Sequence, residues 1–237
     1  MTNSVQGFDD WLNRALEEAA REAGEDVRTY VRRAVAAQMV ADRIHTDKPS
    51  TKELLEHLSE AGVLDRESMP DVSAAIADPD RLNALRATGL LDSPVEAAYD
   101  RITRAAADAL HTPLAALNLI DADRQFIKSS VGMGDMSVPE NRQTTLDQSI
   151  CQYTVADRSP LVLEDPRSDP IFKNHPVVRS GVIAAYLGIP LIDHEGHAIG
   201  TLCVFDAKPR MWGTGHIQVL SDLAELALER IFGPKPD

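Results

Sequence analysis

Two pairs of apolar runs, each joined by a short polar turn, constrain the fold of this chain most. LAALNLID and RQFIKSSVG are separated by Ala122 and Asp123, and VIAAYLGIPLID and HAIGTLCVFD are joined by HEG. Connections this short permit only antiparallel pairing of the strands. LVLED is a further strand candidate between the two pairs. The sequence therefore predicts an α+β fold with an antiparallel sheet of about five or six strands flanked by helices.

Helical patterns surround these strands. RLNALRATGLL is a short helix that ends at Gly89, and PVEAAYDRITRAAADALHT is a long helix with Pro94 near its start. The last predicted element is an amphipathic helix with the sequence TGHIQVLSDLAELALERIF. The segments 132–146 and 165–181 are long for loops of a compact domain. Long loops over a sheet commonly enclose a binding site.

The N-terminal third has a helical pattern only. A first helix carries Phe8, Trp11 and Leu12 at helical spacing, and a second runs from about Val27 to Ile44. A third begins at Ser50 or Thr51 and stops at Gly62. We therefore predict a helical region at 1–67 that serves dimerisation or partner binding, a linker at 68–79, and a sensor domain at 80–233.

Charge and composition exclude several classes of protein. The formal net charge of −13 disfavours nucleic acid and anionic membrane surfaces as partners. Two cysteines give no disulfide framework, and without a Cys/His cluster we predict no metal site. The sequence lacks a secretory signal and an apolar run of membrane-spanning length, so we predict a cytoplasmic protein that does not cross a membrane.

Cys151, in LDQSICQYTV, is the most ambiguous residue. A nucleophile or redox sensor needs a lowered pKa, from a nearby cation or a helix N-terminus. We expect the helix to begin near Leu146 or Asp147, which places Cys151 beyond the first turn. Packing or lining of a pocket is then favoured over redox sensing, and catalysis is the weakest interpretation. Cys203 lies in the apolar strand GTLCVFD, where core packing is the expected role.

Several stretches occur together in an order typical of one family. RLNALRATGLLDSP, LNLIDADRQFIKSSVG, LDQSICQYTV, LVLEDPRSDPIFKNHP and AAYLGIPLIDHEGHAIGTLCVFDAKPRMW span 80–232 with the closing helix. This region resembles a GAF domain of the bacterial signalling type. The resemblance implies a module that binds a small molecule or senses redox state, and a homodimer built on the terminal helices. It also implies a pocket over one sheet face, for which the candidate residues are Cys151, Asp165, Phe172, Asn174 and Tyr186.

The pocket candidates have plain chemical roles. Phe172 and Tyr186 could stack on a ring, and Asn174 and Asp165 could hydrogen-bond a polar edge, although both are also common loop braces. The NKxnFDE signature of the cyclic-nucleotide binders is absent, and Cys151 is followed by glutamine rather than the histidine of bilin-binding relatives. The ligand and any cofactor are therefore unassigned.

An enzymatic variant of the family reduces free methionine sulfoxide with several cysteines. The corresponding strand here, VIAAYLGIPL, has alanine where a catalytic cysteine stands in that variant. Without an attacking and a resolving thiol at that place, the redox cycle lacks its chemistry. We therefore predict a regulatory protein that is not an enzyme and that signals through a protein partner.

Residues 8–43 also resemble the two helices of a ribbon-helix-helix DNA-binding protein, with Gly24 at the turn and YVRRAV in the second helix. That family places a basic strand just ahead of the helices, whereas MTNSVQG contains no basic residue. A transcription regulator is thus an alternative with less support than a dimerisation or partner-binding module.

Overall fold

A computed structural model of the chain describes residues 10–22, 27, 30–31, 34–35 and 69–233. The chain forms two compact units, Met1–Asp71 and Val72–Asp237. None of the described helices is long and apolar enough to cross a membrane.

The described part of the first unit is helical. Helix α1 covers Asp10–Glu22, where a helix was predicted. Ala20 on this helix is buried, whereas Trp11 is 69% exposed. The described residues of the second predicted helix, all helical, are Val27, Tyr30, Val31, Ala34 and Val35. The third predicted helix and half of the ribbon-helix-helix segment lie outside the described residues, so DNA binding stays the less supported alternative that it was in the sequence.

The second unit is built on a six-stranded antiparallel sheet with the strand order β3-β2-β1-β6-β5-β4. The predicted fold class is therefore confirmed. Both predicted hairpins are present, as β1 with β2 and as β5 with β6. The strands are β1 Leu114–Ile120, β2 Arg124–Val131, β3 Gln143–Thr145, β4 Leu161–Leu163, β5 Ala185–Ile192 and β6 Ala198–Asp206.

Helices flank this sheet on both sides. They are α2 Ser73–Ile76, α3 Pro79–Ala87, α4 Ala97–Ala109, α5 Cys151–Asp157, α6 Pro176–Arg179 and α7 Thr214–Phe232. The long helices α4 and α7 pack on one face, where the main apolar core contains Leu117, Leu187 and Leu202. The short helix α5 packs against β1, β5 and β6 from the opposite face.

Three details differ from the sequence-based expectation. The edge strand β3 lies within the segment predicted to be a loop. The predicted linker 68–79 contains α2, and the second unit begins at Val72. Arg81 ties this entry segment to the sheet, because its guanidinium donates to the carbonyls of Ile76 and Ile120. Ile76 is only 1% exposed, so part of the predicted linker belongs to the folded domain.

Candidate functional site

The two cysteines of the chain lie side by side where the start of α5 meets the sheet. Cys151 is the first residue of α5 and Cys203 lies in β6, and their Sγ atoms are 3.9 Å apart. Both thiols are free. The exposed fractions of the two residues are 4% and 1%, respectively. Two thiols from distant parts of the sequence therefore share one closed, water-poor site.

Polar side chains surround the sulfur atoms. The Asn118 amide Nδ2 donates to both Sγ atoms at 3.4 Å, and the Tyr186 hydroxyl donates to the Cys151 Sγ at 3.3 Å. The same hydroxyl lies 3.3 Å from the Thr154 Oγ1. We call this group the buried thiol cluster; its members are Asn118, Cys151, Thr154, Tyr186, Thr201 and Cys203.

Strand register brings the cluster together. Opposite residues of an antiparallel pair project from the same face, so the pairing of Cys203 with Ala116 and Gly188 places it between two small residues. The Tyr186 ring fills the space over Gly188, where a Cβ atom would collide with the tyrosine hydroxyl. A larger residue at that position would push the ring away from the thiols.

A turn ahead of α5 places Cys151 at the helix start. Leu146–Gln148 forms a 3-10 turn, and the Gln152 side-chain amide donates to the carbonyls of Leu146 and Ser149. The Ser149 hydroxyl lies 2.6 Å from the Gln125 Oε1 on β2, which ties the turn to the sheet. The expected helix start at Leu146 or Asp147 was therefore wrong. Cys151 lies at the first position of the helix rather than beyond its first turn.

Hydrogen bonds make Cys151 the more acidic thiol of the pair. The hydrogen bond shared with the Cys203 thiol lowers the pKa of Cys151 to about 7, and the Tyr186 hydroxyl and the Asn118 amide act in the same direction against the opposing effect of burial. The shared hydrogen bond and burial raise the pKa of Cys203 well above its ordinary value. The first proton lost by the pair therefore leaves Cys151 as the thiolate.

The comparisons with known proteins assign the second unit to a family. The family model described as GAF domain matches residues 94–231. The chain belongs to the GAF domain family. It is 31% identical over 145 residues to a cyclic di-GMP phosphodiesterase of Pseudomonas aeruginosa, a match that covers 60% of this chain and 24% of that protein. The chain thus spans about a quarter of the length of this curated relative.

Solved structures are similar to this chain at low identity. The GAF domain of an Acinetobacter phosphoenolpyruvate-protein phosphotransferase is 19% identical with a TM-score of 0.46, over 65% of this chain and 94% of that one. A free methionine-R-sulfoxide reductase from Neisseria meningitidis, in complex with its substrate, is 16% identical with a TM-score of 0.46, over 73% and 91%. At this identity the likeness concerns the fold alone.

These findings bear on two sequence-based predictions about function, with opposite results. The predicted regulatory role of a GAF domain is confirmed in its general form, because the GAF family model matches and a relative is a cyclic di-GMP phosphodiesterase, whereas the predicted ligand binding and dimer stay predictions. The prediction that the protein is not an enzyme is wrong, because the 31% identical relative is a phosphodiesterase. The missing methionine sulfoxide reductase cysteine argued against one activity, and that argument was wrongly extended to all enzymatic activity.

The GAF domain separates the predicted pocket residues into different places. Cys151 and Tyr186 meet in the buried thiol cluster. Phe172 is buried, and its ring meets the Tyr153 ring edge-on with centroids 5.3 Å apart. Asn174 is half-buried in the same short turn as Phe172. Asp165 accepts from the Arg167 guanidinium at 2.7 Å. Contact of these residues with a ligand stays a prediction.

Four of the six members of the buried thiol cluster were not predicted as site residues: Asn118, Thr154, Thr201 and Cys203. Cys203 was predicted only to pack the core, and Asn118 was not singled out. Asn118 was detectable, because an amide between Leu117 and Leu119 interrupts an apolar strand that is otherwise suited to full burial. The neighbourhood of the two thiols had no local signal, since they are 52 residues apart in the chain.

Proposed function

We propose that this chain is the sensory and regulatory part of a signalling protein, and that its stimulus acts at the buried thiol cluster. The observation that supports this is the Asn118 side chain, which is 2% exposed and contacts both sulfur atoms. Its Oδ1 has no hydrogen-bond partner. Buried polar atoms without partners are rare and costly in a purely structural core, and they concentrate where function imposes its own requirements.

A path for the signal runs through the sheet. The cluster takes side chains from the central strands β1, β5 and β6, whose alternate residues face the core under α4 and α7. Thr201 and Cys203 face the cluster, and Leu202 between them packs on the opposite side. A change that shifts β6 therefore alters the surface on which α7 lies. Close-packed interiors transmit such shifts because they cannot absorb them locally.

The output belongs, on this proposal, to cyclic di-GMP signalling. Support comes from the 31% identity with the phosphodiesterase over 145 residues. The same comparison makes hydrolysis of cyclic di-GMP a second candidate function. Incubating the purified chain with cyclic di-GMP and Mg²⁺ or Mn²⁺, and separating the products by liquid chromatography, tests hydrolysis directly. Unchanged cyclic di-GMP after prolonged incubation would remove this second candidate.

Hydrogen exchange measured by mass spectrometry tests the sensory role. The probes are cGMP, cyclic di-GMP, haemin and hydrogen peroxide, each added to the full chain. We expect at least one probe to change exchange in both α5 and α7. The Tyr186→Phe variant, which lacks only the hydroxyl that contacts Cys151, should give a weaker response. Failure of every probe to alter α7 would contradict the proposal.

The terminal helix α7 is the dimer contact that we propose for this chain. Val219 and Leu226 are 39% and 52% exposed and lie seven residues apart, on one stripe of the helix. Native mass spectrometry of the full chain should give a dimer, and Leu226→Glu should give a monomer. A monomer at every concentration in the unsubstituted chain would refute this contact.

A further inference from the structure

We propose that Cys151 and Cys203 are a reversible redox pair, which closes into an intramolecular disulfide when hydrogen peroxide or an organic hydroperoxide reaches Cys151. The inference deepens the proposed sensory function, because it names the class of stimulus and the atoms that receive it. It stands on four observations: the distance between the sulfur atoms, the different backbone hydrogen bonding of the two elements that carry them, the donors around Cys151, and the burial of both residues.

The two sulfur atoms need only a short approach. They are 3.9 Å apart, and a disulfide bond is about 2.0 Å long, so a gap of about 1.9 Å must close. Rotation of the Cys151 side chain and a small displacement of its backbone supply this movement. The pair needs no unfolding of the sheet in order to react.

Cys151, rather than Cys203, makes the movement that closes the gap between the sulfur atoms. Cys203 lies in β6, which is hydrogen-bonded on both sides, to β1 and to β5. Cys151 begins a helix of seven residues that follows a 3-10 turn. Short elements with few backbone hydrogen bonds open at lower free energy than central strands. Disulfide formation therefore pulls the start of α5 toward a fixed β6.

The surroundings make Cys151 the attacking sulfur. It receives hydrogen bonds from Asn118 and Tyr186 and shares one with the Cys203 thiol, and these contacts favour its thiolate. The Cys151 thiolate attacks one peroxide oxygen, so that an S–O bond forms and the O–O bond breaks. The departing oxygen takes up a proton and leaves as water or an alcohol. The sulfur is oxidised by two electrons to the sulfenic acid, and the peroxide is reduced by two.

Cys203 then resolves the sulfenic acid. Its thiolate attacks the Cys151 sulfur, the S–S bond forms and the S–O bond breaks, and the hydroxide leaves as water with the proton that Cys203 released. The sum is two thiols and one hydroperoxide giving one disulfide, one water and one molecule of water or alcohol. A dithiol reductant returns the disulfide to two thiols by two thiol–disulfide exchanges and is itself oxidised to a disulfide.

Opening of α5, which covers the two thiols, sets the rate at which peroxide oxidises them. Because both residues are almost fully buried, the oxidant must wait for α5 to open. The Gln152 amide holds the first turn through the carbonyls of Leu146 and Ser149. Gln152→Ala should therefore speed oxidation several-fold. A buried thiol without such a gate would be inert.

Intact-mass spectrometry and thiol titration of the full chain after peroxide treatment test the pair. We expect a mass loss of two hydrogens per chain, the disappearance of both thiols together, and full recovery with dithiothreitol. Cys203→Ser should instead leave a sulfenic acid on Cys151 that dimedone traps. Cys151→Ser should keep Cys203 reduced. Circular dichroism of both serine variants serves as the control for folding.

Other outcomes separate the chemistry from the signalling role. Thiols that react with peroxide only in urea would overturn the redox pair and leave the sensory proposal to its ligand probes. A disulfide that forms in the native chain without any change of hydrogen exchange in α7 would uphold the redox chemistry, and it would refute the proposed transmission to the terminal helix. A disulfide found only between chains would also overturn the pair.

Discussion

Lys128 gives the sharpest test of the physical account of this fold. Its side chain is fully buried, although lysine is among the residues least often found inside proteins. The ammonium donates to the Ser93 hydroxyl at 2.5 Å, the Pro94 carbonyl at 2.7 Å and the Glu96 carboxylate at 2.6 Å. It also lies 5.2 Å from the centre of the Tyr99 ring. These contacts fasten β2 to the segment that leads into α4.

Lys128→Met keeps the apolar stem and removes the charge and its donors. Breaking a fully buried pair by deleting one partner costs about 3–5 kcal/mol. The Glu96 side chain is 37% exposed, so water partly replaces the lost partner and reduces that figure. The Pro94 carbonyl and the Ser93 hydroxyl lose a charged donor. We therefore expect a loss of about 2–4 kcal/mol in the free energy of unfolding.

Arg124→Met is the matched control on the same strand. Arg124 pairs with Asp92 at 2.6 Å, the same distance as in the Lys128 pair, but the two side chains are 28% and 64% exposed. Exposed pairs contribute about 0–1 kcal/mol. In urea unfolding followed by circular dichroism, Lys128→Met should lower the urea concentration at the unfolding midpoint by about 1–2 M, and the control should lower it by much less. Equal midpoints for the two variants would refute the reasoning.

Three further predictions concern local structure. Gly188→Ala should destabilise the fold by about 1–3 kcal/mol in thermal unfolding, because a Cβ there displaces the Tyr186 ring, and an unchanged melting temperature would contradict this. Asp78→Ala should cost about 1 kcal/mol, since its carboxylate caps α3 at 2.8 Å, whereas Asp78→Asn should cost less. Burial lowers the pKa of His175, so its contribution to stability is full above the unfolded value near 6.5 and is lost as the pH falls below it. Melting temperatures at pH 7 and pH 5 should thus differ less in His175→Asn than in the unsubstituted chain, and parallel curves would refute the assignment.

Local signals explain which elements were predictable. The hairpin turns, the apolar strands and the amphipathic α7 follow from short-range patterns of residues, which do not depend on how the sheet is assembled. Strand β3 has no such pattern, because Gln143–Thr145 is a short polar edge strand that pairs only with β2. The start of α5 was missed for a related reason. The side-chain hydrogen bonds of Gln152 and Ser149 decide it, and the Ser149 bond depends on the position of β2.

The sequence by itself determined the antiparallel sheet and the flanking helices of the second unit, through periodicity and short turns. The order of its motifs determined the resemblance to GAF domains. Only the tertiary structure decided the meaning of the two cysteines. Strand pairing opposes Cys203 to Ala116 and Gly188, and the packing of α5 then sets Cys151 3.9 Å from it. Contacts between residues that are 52 positions apart depend on the register of the whole sheet, which no local pattern of residues specifies.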